Sequence, residues 1–206
     1  MRALVGPLWL LALLPGCAVA PAPSPWNVLF DGKELGAFAV TDFGGQGDVA
    51  VRDGAIEMGF GSPLTGITWT GPAPTDGYEL EVVAARIDGG DFFAGITFPV
   101  GDAFLTLVLG GWGGSLCGLS SLDGNDAAHN DARCHRQFED GRDYAIRIVV
   151  TADAIATFLD GAPLARAERA AHRLGLRPEV LLSRPLGIAS FATASRVRSV
   201  RWRTLP

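Results

Sequence analysis

The stretch Tyr78–Ile87, YELEVVAARI, decides the fold. Leu80, Val82 and Ala84 fall on one face of an extended chain, with Glu79, Glu81 and Val83 on the other. That is the two-residue period of a half-buried β-strand. Upstream, Val49–Met58 (VAVRDGAIEM) carries Asp53–Gly54 between two short apolar runs, the signal of a hairpin with a two-residue turn. Downstream, Phe92–Pro99 and Ala103–Leu109 flank Val100–Gly101–Asp102 and read as a second hairpin. Asp143–Val150 and Ala154–Leu159 form a third pair that ends at Asp160–Gly161, and Leu186–Phe191 and Val197–Trp202 close the chain. Turn signals recur at intervals of roughly 8–12 residues, and no long segment sustains the 3.6-residue apolar period of a helix. The exception is Arg166–Leu174 (RAERAAHRL), read as one short helix in a connection. The expectation is an all-β, two-sheet antiparallel β-sandwich forming one domain over residues 26–206.

Composition agrees. Among 206 residues there are 27 Gly and 13 Pro, with 48% hydrophobic and 19% charged. Such an apolar share supports a packed core, and the glycine excess supports many tight turns. The net charge of −5, with no basic block, argues against a nucleic-acid partner.

The N-terminus reads as a targeting segment. Met1–Arg2 is followed by the apolar run Ala3–Leu14, too short to span a bilayer comfortably. Leu14–Pro15–Gly16–Cys17 resembles a bacterial lipobox, with residues 1–16 removed and Cys17 lipidated. Ala18–Val19–Ala20 offers an ordinary signal-peptidase site as the rival. The lipoprotein reading is preferred because it accounts for a cysteine directly after the apolar run. Residues 17–25 then form a lipidated Cys and Pro-rich tether, and the protein is expected to be exported and held at a membrane by this anchor alone. Cys117 and Cys134 remain, an even pair in an oxidising compartment, so a disulfide is expected between them. In the chain-entropy model it is worth about 3 kcal/mol. A Cys134–His135 nucleophile pair is disfavoured, because adjacent side chains on an extended chain point apart.

Leu29–Phe30–Asp31–Gly32–Lys33–Glu34–Leu35 resembles the LFDGK-x-L opening of the 3-keto-disaccharide hydrolase domain family. The VAVRDGAIEM hairpin, YELEVVAARI and the closing RPLGIASFATASRVRSVRWRTL agree with that family in order and spacing. The resemblance implies a concanavalin A-like, laminin-G-like jelly roll acting on a 3-keto sugar. In that chemistry the C2 proton is abstracted, the C1 substituent is eliminated, and water adds back. The middle of the chain departs from better-known members: Gly89–Pro99 lacks their Gly-Asn-Ser-Gly stretch and following Arg.

Candidate site residues cluster in that divergent middle. Asp123, Asn125, Asp126, His129, Asn130 and Asp131 precede Cys134. Alternating oxygen donors suit a hard cation such as Ca²⁺, and a His among them would admit an ion of the Mn²⁺ or Co²⁺ type. The rival is a solvated loop whose Asp and Asn side chains cap its own turns. By clustering and by analogy with the family, His129 is assigned as base with Asp126 beside it. Asp123 and Asp126 become metal or hydroxyl ligands, and Asn125 and Asn130 substrate contacts. Trp112, between glycine pairs 110–111 and 113–114, reads either as an exposed platform for the apolar face of a sugar ring or as a core indole at a bend. Glu79 and Glu81 lack the glucanase E-x-D-x-x-E pattern and read as solvent-facing strand carboxylates. His172, in the expected helix, reads as surface. The alternative to an enzyme is a non-catalytic, lectin-like glycan-binding lipoprotein, and in both cases the partner is a carbohydrate.

Overall fold

The computed structural model describes residues 24–206. The leader at 1–16, Cys17 and the start of the tether lie outside the described residues. Strands occur at β1 (Asn27–Phe30), β2 (Phe38–Val40), β3 (Val49–Arg52), β4 (Ala55–Met58), β5 (Leu64–Trp69), β6 (Tyr78–Gly89), β7 (Ala94–Val100) and β8 (Ala103–Gly110). They continue with β9 (Leu116–Ser120), β10 (Cys134–His135), β11 (Tyr144–Val150), β12 (Ala154–Leu159), β13 (Ala162–Glu168), β14 (Leu186–Phe191) and β15 (Thr193–Thr204). One sheet runs β13-β12-β11-β6-β15-β4-β3 with β1 alongside β15, and the other runs β10-β9-β8-β7-β14-β5-β2. All pairings are antiparallel.

The alternation of β6 places Leu80, Val82 and Ala84 in the core between the sheets. From the second sheet, Ile96, Phe98, Leu105, Leu107, Leu119 and Ile188 meet them. On the outer face of β6, Glu81 lies opposite Arg201 and Glu79 opposite Arg203, and both pairs are bridged. Glu79 is not solvent-facing: it is only 5% exposed and is clamped by Arg203 and Arg147. A buried carboxylate requires such partners. Asp53 and Gly54 take φ of 49° and 74°, the double left-handed step that a two-residue hairpin turn demands.

Two further expectations need correction. The segment Arg166–Leu174 is not a helix. Its first three residues, Arg166–Glu168, complete β13, held by Thr157, which bonds both the carbonyl and the N–H of Ala165. Only Arg169–Ala171 forms a single 3₁₀ turn. Nor is the Cys117–Cys134 disulfide formed. The two residues are register partners across the β9–β10 ladder, yet both thiols are free. The neighbouring Cys134 and burial raise the Cys117 pKa, whereas the Cys117 thiol lowers that of Cys134 to about 7; the Cys117 thiol donates to the Ser115 carbonyl (3.8 Å).

Candidate functional site

The outer face of the second sheet carries small and hydroxylated residues where its inner face carries large apolar ones: Gly95, Thr97, Thr106, Gly118, Ser120, Gly187 and Ala189. Two connections cover it. Ala127 and Ala128 pack on Val108, Leu116 and Phe92. The segment 172–185 lies beside this loop and is stitched to it by main-chain bonds in both directions between Ser121 and Gly175 (3.1 and 3.2 Å). The connections leave open a cleft of about 230 Å³ lined by Asp91, Phe92, Thr106, Trp112, Ser120, Asp126, Arg177, Glu179, Val180 and Phe191. That is below the roughly 300–1,000 Å³ of drug-sized pockets, room for one small ring.

Apolar area comes from Phe92 and Phe191, whose ring centroids are 5.6 Å apart, and from Trp112 at the rim. Trp112 is 45% exposed and sits in the left-handed region at φ 48°, ψ 57°, an uncommon place for a bulky residue. What holds it there is Asp91, whose Oδ1 accepts from the N–H groups of Phe92 (2.7 Å) and Trp112 (3.3 Å). Burial lifts the Asp91 carboxyl above its ordinary pKa, against the pull of those two bonds. Deeper in, Thr106 is tied to Thr97 (2.9 Å), whereas the buried Ser120 hydroxyl has no partner.

The polar wall is a charge chain. Asp126 Oδ1 accepts from Ala128 N (2.9 Å) and His129 Nδ1 (2.7 Å), and Oδ2 accepts from Arg177 Nη1 (3.1 Å). Arg177 Nε also donates to Glu179. Burial pushes the Asp126 carboxyl up, but these partners outweigh it and hold the group below its ordinary range.

Of the residues singled out in the sequence, Trp112 and Asp126 line this cleft and the others do not. His129 points outward, its side chain 72% exposed, and reaches the cleft only through Asp126. Asp123 turns away to His172 Nδ1 (2.7 Å) and Arg173 N (2.8 Å), and the His172 bond is foremost in holding its carboxyl below the ordinary pKa. Exposed Asn125 closes a main-chain turn with Leu122. Asn130 is a staple: its Nδ2 donates to the carbonyls of Leu119 and Asp126 (2.8 Å each) and more weakly to Asn125 (3.3 Å), and its Oδ1 accepts from Ala132 N (2.9 Å). Asp123 and Asp126 do not fit a shared cation, because all their oxygens already accept hydrogen bonds and their partners are donors. Among the described residues no three His, Cys, Asp or Glu side chains gather to hold a metal. Asp91, Phe92, Ser120, Arg177, Glu179 and Phe191 had no motif to mark them. The local signal for Asp91–Phe92 was their place in a glycine-flanked strand connection.

No protein-family profile matches the chain, and no curated protein matches it in sequence. Its fold is similar to that of an apo Crh5 transglycosylase: TM-score 0.62, 14% identity, covering 90% of this chain and 85% of that one. It is also similar to the metal-free carbohydrate recognition domain of Emp46p: 0.61, 14%, 88% and 99%. A third is SCLam, a non-specific endo-β-1,3(4)-glucanase from family GH16: 0.56, 11%, 90% and 94%. The chain thus has the two-sheet jelly-roll fold of these proteins.

Proposed function

We propose that this protein binds a carbohydrate in the cleft on the outer face of the second sheet. The carrying observation is Trp112, an exposed indole held in a left-handed backbone at the rim of an aromatic cleft. Its flat face suits the C–H side of a pyranose. Phe92 and Phe191 offer further apolar area, and Ser120, Asp91 and the Arg177–Glu179 pair offer hydroxyl partners. The neighbours of the same fold, a transglycosylase, a glucanase and a carbohydrate recognition domain, support the class. Titration of the soluble domain with a glycan panel should find ligands, and Trp112→Ala should weaken them about tenfold or more, since 1.4 kcal/mol is tenfold. Binding unchanged in Trp112→Ala would reject the platform.

A second reading, hydrolysis of 3-keto-glycosides, is favoured by the LFDGK-type opening and by Asp91. A carboxyl of raised pKa inside a cleft is suited to taking and returning a proton. Asp91 would remove the C2 proton made acidic by the C3 ketone and the C1 group would leave as its anion; water would then add its hydroxyl at C1 and give its proton to the departed group, as Asp91 returns its proton to C2. Release of the aryl group from an aryl 3-keto-glucoside, absent with the ordinary glucoside and lost in Asp91→Asn, tests it. No release from the keto sugar leaves the binding module. Export and anchoring at Cys17 complete the proposal. Labelled fatty acid should enter the full-length protein and be absent from Cys17→Ala.

A further inference from the structure

A second groove, of about 310 Å³, adjoins the aromatic cleft and is lined by Ser121, Gly124, Arg173, Leu174, Gly175 and Leu176, with Arg177 and Pro178. The two spaces share a wall. Arg177 lines both, and the neighbours Ser120 and Ser121 line one each. Their walls differ. The cleft is aromatic, whereas the groove has no aromatic residue and is edged by main chain and arginine.

Arg173 sets the groove apart. Every other arginine among the described residues gives at least one guanidinium hydrogen bond to a carboxylate or carbonyl oxygen. The Arg173 guanidinium gives none; its main-chain N–H alone is used, by Asp123. The Asp123 carboxylate feels the Arg173 charge, but its other oxygen is occupied by His172. Arg173 Nη2 instead lies over Gly124, 3.6 Å from where a Cβ would stand. In a chain of net charge −5, Arg133, Arg136 and Arg184 also lack a carboxylate partner but bond main-chain carbonyls, whereas the Arg173 guanidinium, with no such bond, stands on the wall of the groove beside the proposed sugar site.

We infer that the groove is a subsite for a negatively charged substituent, a carboxylate or a sulfate ester, on the sugar adjoining the one in the aromatic cleft, so that the preferred ligand is an acidic glycan of two or more units. This rests on the carbohydrate reading of the cleft. Arg173 would supply a planar fork of donors matched to carboxylate or sulfate oxygens, and Ser121 and the main chain of Gly124 and Gly175 would border the same sugar.

The test compares a neutral β-glucan oligosaccharide, an oligouronate and a sulfated oligosaccharide of matched length by calorimetric titration, on the wild type, Arg173→Gln and Trp112→Ala. The expected result is tighter binding of at least one acidic ligand, lost by about tenfold in Arg173→Gln, as for one charge-assisted contact. The neutral ligand should be unaffected by that change, and Trp112→Ala should weaken all three. The acidic advantage should shrink as NaCl is raised, as for a solvent-exposed pair. Uronate and sulfate arms separate the two anion sources. Neutral binding that needs Trp112 but shows no acidic preference would overturn the subsite and leave the cleft standing. Failure of all three ligands to bind would overturn both.

Discussion

Replacing Asn130 by Ala should unfold the loop over the cleft before it touches any ligand contact. The side chain makes three good bonds, to Leu119 O, Asp126 O and Ala132 N at 2.8, 2.8 and 2.9 Å, and one weak bond at 3.3 Å. At about 1 kcal/mol net for each good bond, less what water recovers at the half-exposed site, the loss is about 2–3 kcal/mol. With an m of roughly 2 kcal/mol/M, the urea midpoint should fall by about 1 M at unchanged m. Asn130→Asp should be worse. It keeps the acceptor for Ala132 but sets a carboxylate against three carbonyl oxygens. Urea unfolding followed by tryptophan fluorescence reads both variants. An unchanged midpoint in Asn130→Ala, with glycan binding lost, would refute the staple and restore the ligand contact expected from the sequence.

Asp91→Asn should raise stability at pH 7 and not at about pH 3. The native carboxyl titrates above its unfolded value because of burial, so its charge weakens the fold only once the pH rises through the unfolded pKa toward the native one. Thermal melts at both pH values check this, and equal shifts would count against it. Gly187→Ala should cost about 2 kcal/mol through overpacking. Its Cβ would stand 2.6 Å from the Ser183 carbonyl oxygen and 2.8 Å from the Ser183 Cβ; a melt matching the wild type would mean that the 178–183 turn yields. Iodoacetamide should label Cys134 and spare buried Cys117, with a rate that rises through about pH 7, because the Cys117 thiol, helped by Arg136, lowers the Cys134 pKa. Peptide mapping decides, and preferential labelling of Cys117 would contradict this order of reactivity.

The sequence by itself determined the sandwich. Period-two alternation in Tyr78–Ile87 and left-handed turn pairs such as Asp53–Gly54 are properties of neighbouring residues, so they can be read without the rest of the chain. The same local reading failed at Arg166–Leu174, where pairing with β12 overrides an alanine- and arginine-rich stretch that favours helix when isolated. At the polar cluster 123–131 it left two readings open, because a row of Asp and Asn looks the same whether its oxygens converge on a ligand or cap their own loop. Only the tertiary structure decided that Asn130 bonds carbonyls, that Asp123 turns to His172, and that Trp112 stands exposed above Asp91. The cleft joins residues 91–92, 106, 112, 120, 126, 177–180 and 191. These positions meet because β7, β8, β9 and β14 lie side by side while their connections fold back over one face. Contacts between chain segments so far apart leave no periodic trace in the sequence, and Arg177, which holds Asp126 from 51 positions away, could be placed in the site only once the sheets had formed.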